Sequence, residues 1–206
     1  MRLTLDDVAR EARSRLDPAL WDFFEGGAGE ERTLRANVEA FDRLWLLPRV
    51  LSGVTCPETA TTILGRRWDA PVGIAPVAYQ TLAHPLGELA TVQGAAAAAV
   101  LPVVISTFAG RDLDELAAAR GGPLWLQVYC LRDRSMTRGL IERAQQAGFE
   151  ALVLTVDAPH LGRGCVTCAT TSGFRRTSFR RTLPGTTSRC RRHMPGRSSL
   201  RASTGR

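Results

Sequence analysis

The sequence has no lysine, no long apolar run and few cysteines, and these shortages narrow the class of protein. All 27 basic residues of the 206-residue chain are arginines. A membrane-spanning helix is not predicted, since no stretch reaches about 18 uninterrupted apolar residues. The N-terminal region carries acidic side chains where a signal peptide has an apolar segment, so we expect a cytoplasmic location. Five cysteines in so long a chain do not indicate a small disulfide-stabilised secreted protein.

The net charge of +7 is unevenly distributed along the chain. The last acidic residue is Asp157, and residues 164–206 hold ten arginines and no carboxylate. The preceding part holds 17 arginines against 20 acidic residues, so it is mildly acidic. A 44% hydrophobic content is enough for a sizeable core. The basic character therefore belongs to the end of the chain alone.

The composition divides the chain into residues 1–163 and residues 164–206. Hydrophobic periodicity accompanies the local helix and strand signals up to about Arg163 and is absent afterwards. The second part consists mostly of Arg, Ser, Thr, Gly and Pro. Such a segment buries too little apolar surface to offset the entropy lost on ordering. We expect it to be a disordered, Arg-rich tail.

Three interpretations of the Arg-rich tail compete. Its arginines, interleaved with Phe174 and Phe179, are typical of an arm that contacts nucleic-acid phosphates and bases. It also offers four metal ligands of suitable type. These are Cys165, Cys168, Cys190 and His193. The third interpretation is out-of-frame sequence from a GC-rich gene, and we favour it because acidic residues and patterning end together.

Capping signals predict three helices ahead of the main pattern. Thr4 and Asp7 match a capping box at the start of the first helix. Asp17 followed by Pro18 is a typical start for the second helix. Residues 30–43 have the pattern of a third. A short β-hairpin is predicted next, over residues 61–68.

The remaining sequence alternates between apolar runs of strand length and helix-length segments. The predicted strands are 71–78, 102–107, 124–130 and 151–156. The predicted helices are 85–99, 113–119 with Asp112 as its cap, and 136–147 with Ser135 as its cap. This βα repeat predicts an α/β fold with a parallel sheet, because continuous apolar runs are typical of strands buried on both faces.

Each predicted strand ends on residues able to contact a ligand. Ser106, Gln127, Tyr129 and Thr155 all lie at or near such ends, and the first strand ends in the run Pro-Val-Ala-Tyr-Gln at 76–80. Ligands of βα folds bind at the carboxyl ends of the strands. The alternative for Ser106 and Thr155 is a bond to nearby backbone. No glycine fingerprint for a dinucleotide or a phosphate loop is present, which disfavours a nicotinamide-binding domain.

Several motifs together resemble the FMN-dependent α-hydroxy acid oxidases and dehydrogenases. They occur in family order over about residues 3–163. The motifs are residues 22–28 (DFFEGGA), 74–80 (IAPVAYQ), 84–88 (HPLGE), 126–129 (LQVY), 154–159 (LTVDAP) and 161–163 (LGR). Within the family, residues 76–80 and 129–133 are most similar to members that oxidise 4-hydroxymandelate.

The resemblance implies a (β/α)8 TIM barrel with FMN at its carboxyl end, of which this chain would hold the first half, about four βα units. It implies oxidation of a 2-hydroxy acid to the 2-oxo acid. It assigns cofactor binding to Pro76, Val77, Ala78, Ser106, Gln127 and Thr155. Tyr129 matches the tyrosine that faces the substrate, and no metal is implied.

The sequence also departs from the family pattern. Phe23 stands where many members have a tyrosine that binds the substrate carboxylate, which favours an aryl, mandelate-like substrate. Gly164 stands in place of a second arginine, and no segment matches the general-base histidine, since His193 lies in His-Met-Pro-Gly. We therefore expect a truncated, inactive chain. The alternatives are a nucleic-acid-binding protein that uses the tail, and a half-barrel completed by a second chain or by a homo-oligomer.

Overall fold

The computed structural model describes residues 4–157 of the chain. The predicted boundary at residue 163 lies outside the described residues. The interpretations of the Arg-rich tail, including its four candidate metal ligands, lie outside them as well.

The described residues form an α/β fold in which most helices and strands follow the predicted order, except that a helix not predicted forms at residues 80–83 and no strand forms at 71–78. The first helices are α1 (Leu5–Arg15), α2 (Pro18–Glu25) and α3 (Arg32–Glu39), followed by a short 3₁₀ helix (Phe41–Arg43). The hairpin strands are β1 (Thr61–Ile63) and β2 (Arg66–Trp68). The βα part comprises α4 (Gln80–Ala83), α5 (Glu88–Ala98), β3 (Val103–Ile105), α6 (Leu113–Ala118), β4 (Leu124–Val128), α7 (Arg134–Gln146) and β5 (Ala151–Leu154).

The first two helices begin at the capping residues that the sequence predicts. Thr4 and Asp7 form the reciprocal capping box of α1. The Asp17 side chain accepts a hydrogen bond from the Ala19 amide at the start of α2, and Pro18 occupies its first turn. The predicted third helix at 30–43 is divided: Glu31, at the N-cap of α3, has a left-handed conformation, and residues 41–43 form the separate 3₁₀ helix.

The hairpin forms as predicted and is antiparallel, with Thr61 paired to Trp68. Both turn residues, Leu64 and Gly65, have positive φ angles, which is typical of a tight hairpin turn. Trp68 is buried and its ring centroid lies 5.5 Å from that of Trp125 in β4. The hairpin is thereby packed against the sheet.

The main sheet has three parallel strands in the order β3-β4-β5. The predicted strand at 71–78 does not form as a strand. In its place a single bridge joins Ile74 to Val103, with the Ile74 amide donating to the Pro102 carbonyl. Pro71 and Pro76 lack amide hydrogens, so a continuous ladder cannot extend along this segment. The described residues thus form an open three-stranded sheet with a bridged segment beside it.

One face of the sheet forms the hydrophobic core with α5, α6 and α7. Leu124, Leu126 and Val128 are on this face of β4, and alternate with Trp125 and Gln127 on the other. The core cluster consists of Val92, Ala95, Val103, Ile105, Ala109, Leu113, Leu116, Leu124, Leu126, Val128, Leu140 and Ala144. The opposite face of the sheet carries Trp125 and Gln127 of β4.

Helix α7 begins two residues before its predicted start, and its cap is Asp133 and not Ser135. The Asp133 carboxylate accepts hydrogen bonds from the Ser135 hydroxyl (2.6 Å) and the Ser135 amide (2.9 Å). The bond from the hydroxyl has the larger effect and the bond from the amide the next; together they hold the pKa of the Asp133 carboxyl below its usual value. Both residues are good caps, and only the fold decides which one occupies the cap position.

Leu126 and Leu152 are paired neighbours on one face of the sheet, and they provide a matched test of the core. Leu126 is 0% exposed and Leu152 is 50% exposed. We expect Leu126→Ala to lower the free energy of unfolding by about 2–5 kcal/mol, because it leaves a cavity. Leu152→Ala should cost less than about 1 kcal/mol. Urea unfolding of both variants checks this, and equal losses would contradict the assignment of the core.

The cap of α7 predicts a pH-dependent stability. Because the pKa of Asp133 is lower in the folded chain than its value of 3.8 for a free side chain, the carboxylate stabilises the fold at neutral pH, and this contribution disappears as the pH falls through the folded pKa. Asp133→Ala should therefore lower the melting temperature at pH 7. The difference from the wild type should be smaller in strong acid than at pH 7, because the Asp133 carboxyl is then protonated. A difference that is the same at both pH values would show that the carboxylate charge is not responsible.

Candidate functional site

A cluster of buried polar side chains lies at the carboxyl ends of the parallel strands. Ser106, Thr107 and Gln127 are each at most 5% exposed. Together with Glu88 they are the buried polar or charged residues of the part of the chain that the structure describes. Buried polar groups cost free energy unless they are hydrogen-bonded, so such a concentration at one edge needs an explanation.

The Gln127 carboxamide links all three strands. Its Oε1 accepts hydrogen bonds from the Thr107 amide (3.1 Å) and, at 3.4 Å, from the Ser106 hydroxyl. Its Nε2 donates to Thr155 Oγ1 at 2.8 Å. The Thr107 hydroxyl donates to the Gln127 backbone carbonyl at 2.6 Å. One side chain in the central strand therefore connects the residues that follow β3 with those that follow β5.

The register of the sheet explains why these residues meet. Ile105 pairs with Leu126, so Ser106 and Gln127 are the next neighbours along β3 and β4. Gln127 pairs with Val153, and Thr155 lies two residues further on, on the same face of its strand. Since parallel strands end at a common edge, polar residues placed at three consecutive ends converge. The sequence prediction that grouped Ser106, Gln127 and Thr155 rests on this rule.

Four aromatic rings lie in a row beside the polar cluster. The Phe108 ring stacks on Tyr79 at 5.8 Å between centroids and on Tyr129 at 5.7 Å. The interplanar angles are 12° and 28°. Phe23 of α2 extends the row, with its centroid 6.2 Å from that of Tyr79. The row joins the N-terminal helices to the ends of the first, second and third strand segments.

The backbone at Tyr79 is strained. Its φ angle of 60° lies in the left-handed region, which is costly for a residue with a bulky side chain. The Tyr79 amide donates to the Phe108 carbonyl at 3.1 Å, which connects the two loops directly. Strained backbone of this kind persists only where surrounding contacts hold it, and it is concentrated at functional sites.

Pro76, Val77 and Ala78, the other predicted cofactor residues, precede this strained turn. Pro76 and Val77 are exposed and Ala78 is partly buried. The Val77 carbonyl accepts a hydrogen bond from the Gln80 side chain, so this segment reaches the cluster by way of the aromatic row and not by hydrogen bonds to Ser106 or Gln127. Tyr129 likewise joins through its ring.

Two elements of the site escaped the sequence prediction. Phe108 lies in the loop after β3. The sequence feature that could have revealed it is an aromatic residue directly after a predicted strand. Glu88 is 1% exposed. The sequence feature that could have revealed it is a carboxylate at the start of an otherwise apolar helix. His84, in the motif at residues 84–88, directly follows α4. Its Nδ1 accepts a hydrogen bond from the Leu86 amide at 3.2 Å, as a structural residue would.

The cluster retains hydrogen-bonding capacity for a ligand. Gln127 Nε2 carries a second hydrogen besides the one donated to Thr155, and the Thr155 hydroxyl can itself donate. These donors lie at the same sheet edge as the exposed apolar segment 76–78. A flat, largely apolar ligand with acceptors along one edge suits this combination. The fold and the site together define the class: a βα protein with polar donors and an apolar segment side by side at the ends of its parallel strands.

Within residues 4–157, no group of three or more His, Cys, Asp and Glu side chains is arranged to hold a metal ion. The described helices include none with the length and apolar character needed to cross a membrane.

Comparison with known families identifies the chain. The family model of FMN-dependent dehydrogenases matches residues 12–185, and the chain belongs to this family. It is 45% identical over 161 residues to 4-hydroxymandelate oxidase of Amycolatopsis orientalis, a match that covers 78% of this chain and 44% of that protein. It is 41% identical over 165 residues to L-lactate oxidase of Nostoc sp., covering 78% of this chain and 45% of the relative.

Solved structures give the same result. The chain is similar to mandelate oxidase with (S)-4-hydroxymandelic acid, with a TM-score of 0.76 and 42% identity over 80% of this chain and 46% of the other. It is also similar to a mandelate oxidase variant with an FMN adduct, with a TM-score of 0.75 and 42% identity over 79% of this chain and 49% of the other.

These comparisons confirm the family predicted from the motifs and FMN as the cofactor of that family. The α/β fold with a parallel sheet is confirmed as well. The chain spans less than half the length of the two curated relatives. The family match runs to residue 185, past residue 163 where the motifs recognised in the sequence end.

The hydrogen bonds of Gln127 predict a large cost for removing its carboxamide. Gln127→Leu leaves the Thr107 amide and the Ser106 hydroxyl without their acceptor, so the free energy of unfolding should fall by about 1–3 kcal/mol. Thr155→Val removes one bond at the partly exposed end of the network and should cost less than about 1.5 kcal/mol. Urea unfolding of both variants measures the difference. A smaller loss of stability for Gln127→Leu than for Thr155→Val would show that the network does not stabilise the sheet edge.

Proposed function

We propose that the chain supplies the FMN-binding side of the active site of a 2-hydroxy acid oxidase or dehydrogenase. The observation that carries this proposal is the buried Ser106–Gln127–Thr155 network beside an exposed apolar backbone segment. The flavin ring is flat, apolar on its faces and rich in carbonyl acceptors along one edge. The donors left on Gln127 and Thr155 are of the kind that edge requires.

The remaining predicted cofactor residues take positions that suit the same ligand. Pro76, Val77 and Ala78 would lie along the flavin face, since they form an exposed apolar segment at the sheet edge. Ser106 would act mainly through Gln127, because its hydroxyl donates to Gln127 Oε1 and accepts from the Phe108 amide at 3.1 Å. Bound FMN supplies the acceptor for the two electrons that leave the substrate α-carbon.

The aromatic row favours an aryl 2-hydroxy acid as substrate. Tyr129 would face the substrate, and the Phe108 ring stacked on it presents a further apolar surface. Phe23, half-exposed and next to Tyr79, adds an aromatic ring without a hydroxyl. The similarity to 4-hydroxymandelate oxidase supports the same class. Small acids such as glycolate would leave these ring surfaces uncovered.

A group that removes the substrate proton is not provided by the described residues. The single histidine in residues 4–157 is His84, whose ring accepts from the Leu86 amide. Loss of a general base typically slows the proton-transfer step by about 10²–10⁴-fold. We therefore propose that the described residues bind FMN and the 2-hydroxy acid without supplying this base. We also propose that the chain by itself is inactive in oxidation. The closed (β/α)8 barrel and the cytoplasmic location stay predictions.

Flavin binding tests the proposed function. We expect the full chain to quench FMN fluorescence with a saturable curve, and Gln127→Leu to weaken binding about tenfold or more, because it removes hydrogen bonds to the ring edge. Arg67→Gln, at an exposed position on the hairpin, serves as the control and should bind as the wild type does.

Titration of the FMN-loaded chain with acids then tests the substrate class. Mandelate should perturb the flavin absorbance at lower concentration than lactate, and under nitrogen neither acid should bleach it. If FMN fails to bind, or if Arg67→Gln weakens binding as much as Gln127→Leu, the assignment of the cofactor site is wrong. Bleaching by mandelate would contradict the proposed inactivity.

A further inference from the structure

Glu88 is a buried carboxylate that the proposed chemistry does not use. It is 1% exposed and is the first residue of α5. Within residues 4–157 it forms no ion pair, and its Oε2 has no hydrogen-bond partner there. Removing a carboxylate from water is costly, so a side chain buried in this way must be compensated by specific contacts. Those contacts show what the residue does.

The Glu88 carboxylate binds two backbone amides through one oxygen, one at the start of α4 and one in the loop after β3. Its Oε1 accepts hydrogen bonds from the Gln80 amide at 3.2 Å and from the Gly110 amide at 3.1 Å. Gln80 directly follows the strained Tyr79. Gly110 lies two residues after Phe108, in the loop that follows β3. The position at the N-terminus of α5 also favours the negative charge, because the helix dipole is positive there.

Two glycines near Glu88 allow the backbone to approach its carboxylate closely. Gly87, the N-cap of α5, has a φ angle of 50° that residues with side chains rarely adopt. A Cβ atom at Gly110 would overlap the side chain of Thr81, so only glycine brings this amide near the carboxylate. The two glycines on either side of the carboxylate therefore keep the loops within hydrogen-bonding distance of it.

The two loops held by Glu88 are those assigned to the flavin. One contains Pro76, Val77 and Ala78 and ends in the left-handed Tyr79. The other contains Ser106 and Phe108. Tyr79 and Phe108 are also joined by the Tyr79 amide and by their stacked rings. Glu88 thus fixes the far end of both loops, immediately after the residues that would contact the ligand.

We propose that Glu88 is a positioning residue that clamps the Tyr79 turn and the loop after β3 in the arrangement needed to bind FMN. The flavin part of this proposal rests on the proposed function. The clamp itself rests only on the two hydrogen bonds and on the strain at Tyr79.

Amide hydrogen exchange of the full chain, measured by NMR, tests the clamp without any ligand. Glu88→Ala should accelerate exchange at Gln80 and Gly110 about 10- to 100-fold, since a charge-assisted bond is lost at each. Glu88→Gln retains an acceptor, and exchange at both amides should rise only about two- to fivefold because neutral hydrogen bonds are weaker. The Leu126 amide in β4 should be unaffected in both variants.

Asp69→Ala is the matched control, because the Asp69 carboxylate accepts a hydrogen bond from the Val100 amide at 2.7 Å away from the site. It should accelerate exchange at Val100 alone. Unchanged exchange at Gln80 and Gly110 in Glu88→Ala would overturn the clamp, and so would equal acceleration at Leu126, which indicates general destabilisation. If Glu88→Ala does not fold, Glu88→Gln is the test. Exchange about two- to fivefold faster at Gln80 and Gly110 alone supports the clamp, and unchanged exchange there overturns it.

FMN affinity of the same variants tests the flavin part. The dissociation constant should increase in the order wild type, Glu88→Gln, Glu88→Ala, by about tenfold at the end of the series. Asp69→Ala should bind FMN as the wild type does. Accelerated exchange with unchanged FMN affinity would overturn the link between clamp and flavin. A wild type that does not bind FMN overturns the proposed function, and the exchange result still decides the clamp.

Discussion

The arrangement of the sheet edge depends on the carboxamide of Gln127. It lies in the central strand and is hydrogen-bonded on one side to the residues after β3 and on the other to Thr155 after β5. A shift of β4 by one residue would turn this side chain into the apolar core and place Leu126 or Val128 at the interior. The need to satisfy a buried amide therefore specifies the same register as the hydrophobic pattern does.

This constraint extends outward to the loops. With Ser106 and Thr107 held by Gln127, the following residue Phe108 is placed so that its ring stacks between Tyr79 and Tyr129. Tyr79 in turn takes a backbone conformation that is unfavourable by itself, and Glu88 binds the amide that follows it. The site is thus built in steps, from a satisfied polar group in the sheet to strained backbone at the surface.

Much of this arrangement could be predicted from residue types and spacing. Thr4 and Asp17 mark helix starts by capping hydrogen bonds, and three polar residues at consecutive strand ends converge by the geometry of parallel sheets. The predictions that were wrong depend on competition between local signals. Pro71 and Pro76 interrupt an apolar run that otherwise has strand character, and Asp133 takes the cap position from Ser135.

The role of Glu88 could not be predicted from the sequence. Its partners are backbone amides, which nearly every residue has, so residue types do not indicate them. The same holds for the ring stacking of Phe108, which depends on the left-handed turn at Tyr79. Family membership is independent of these details and is shown by the match to FMN-dependent dehydrogenases. What the structure adds is the set of contacts by which this chain would hold the cofactor.

The central claim is that FMN binds at the strand-end network around Gln127. The most direct measurement is NMR of the labelled full chain during titration with FMN, which follows the Gln127 side-chain amide and the backbone amides of Thr107 and Thr155. We expect saturable shifts at these groups, and none at the hairpin strands β1 and β2. Shifts confined to the arginines of residues 164–206 would contradict it, because they would indicate attraction of the phosphate to the basic tail in place of a flavin site.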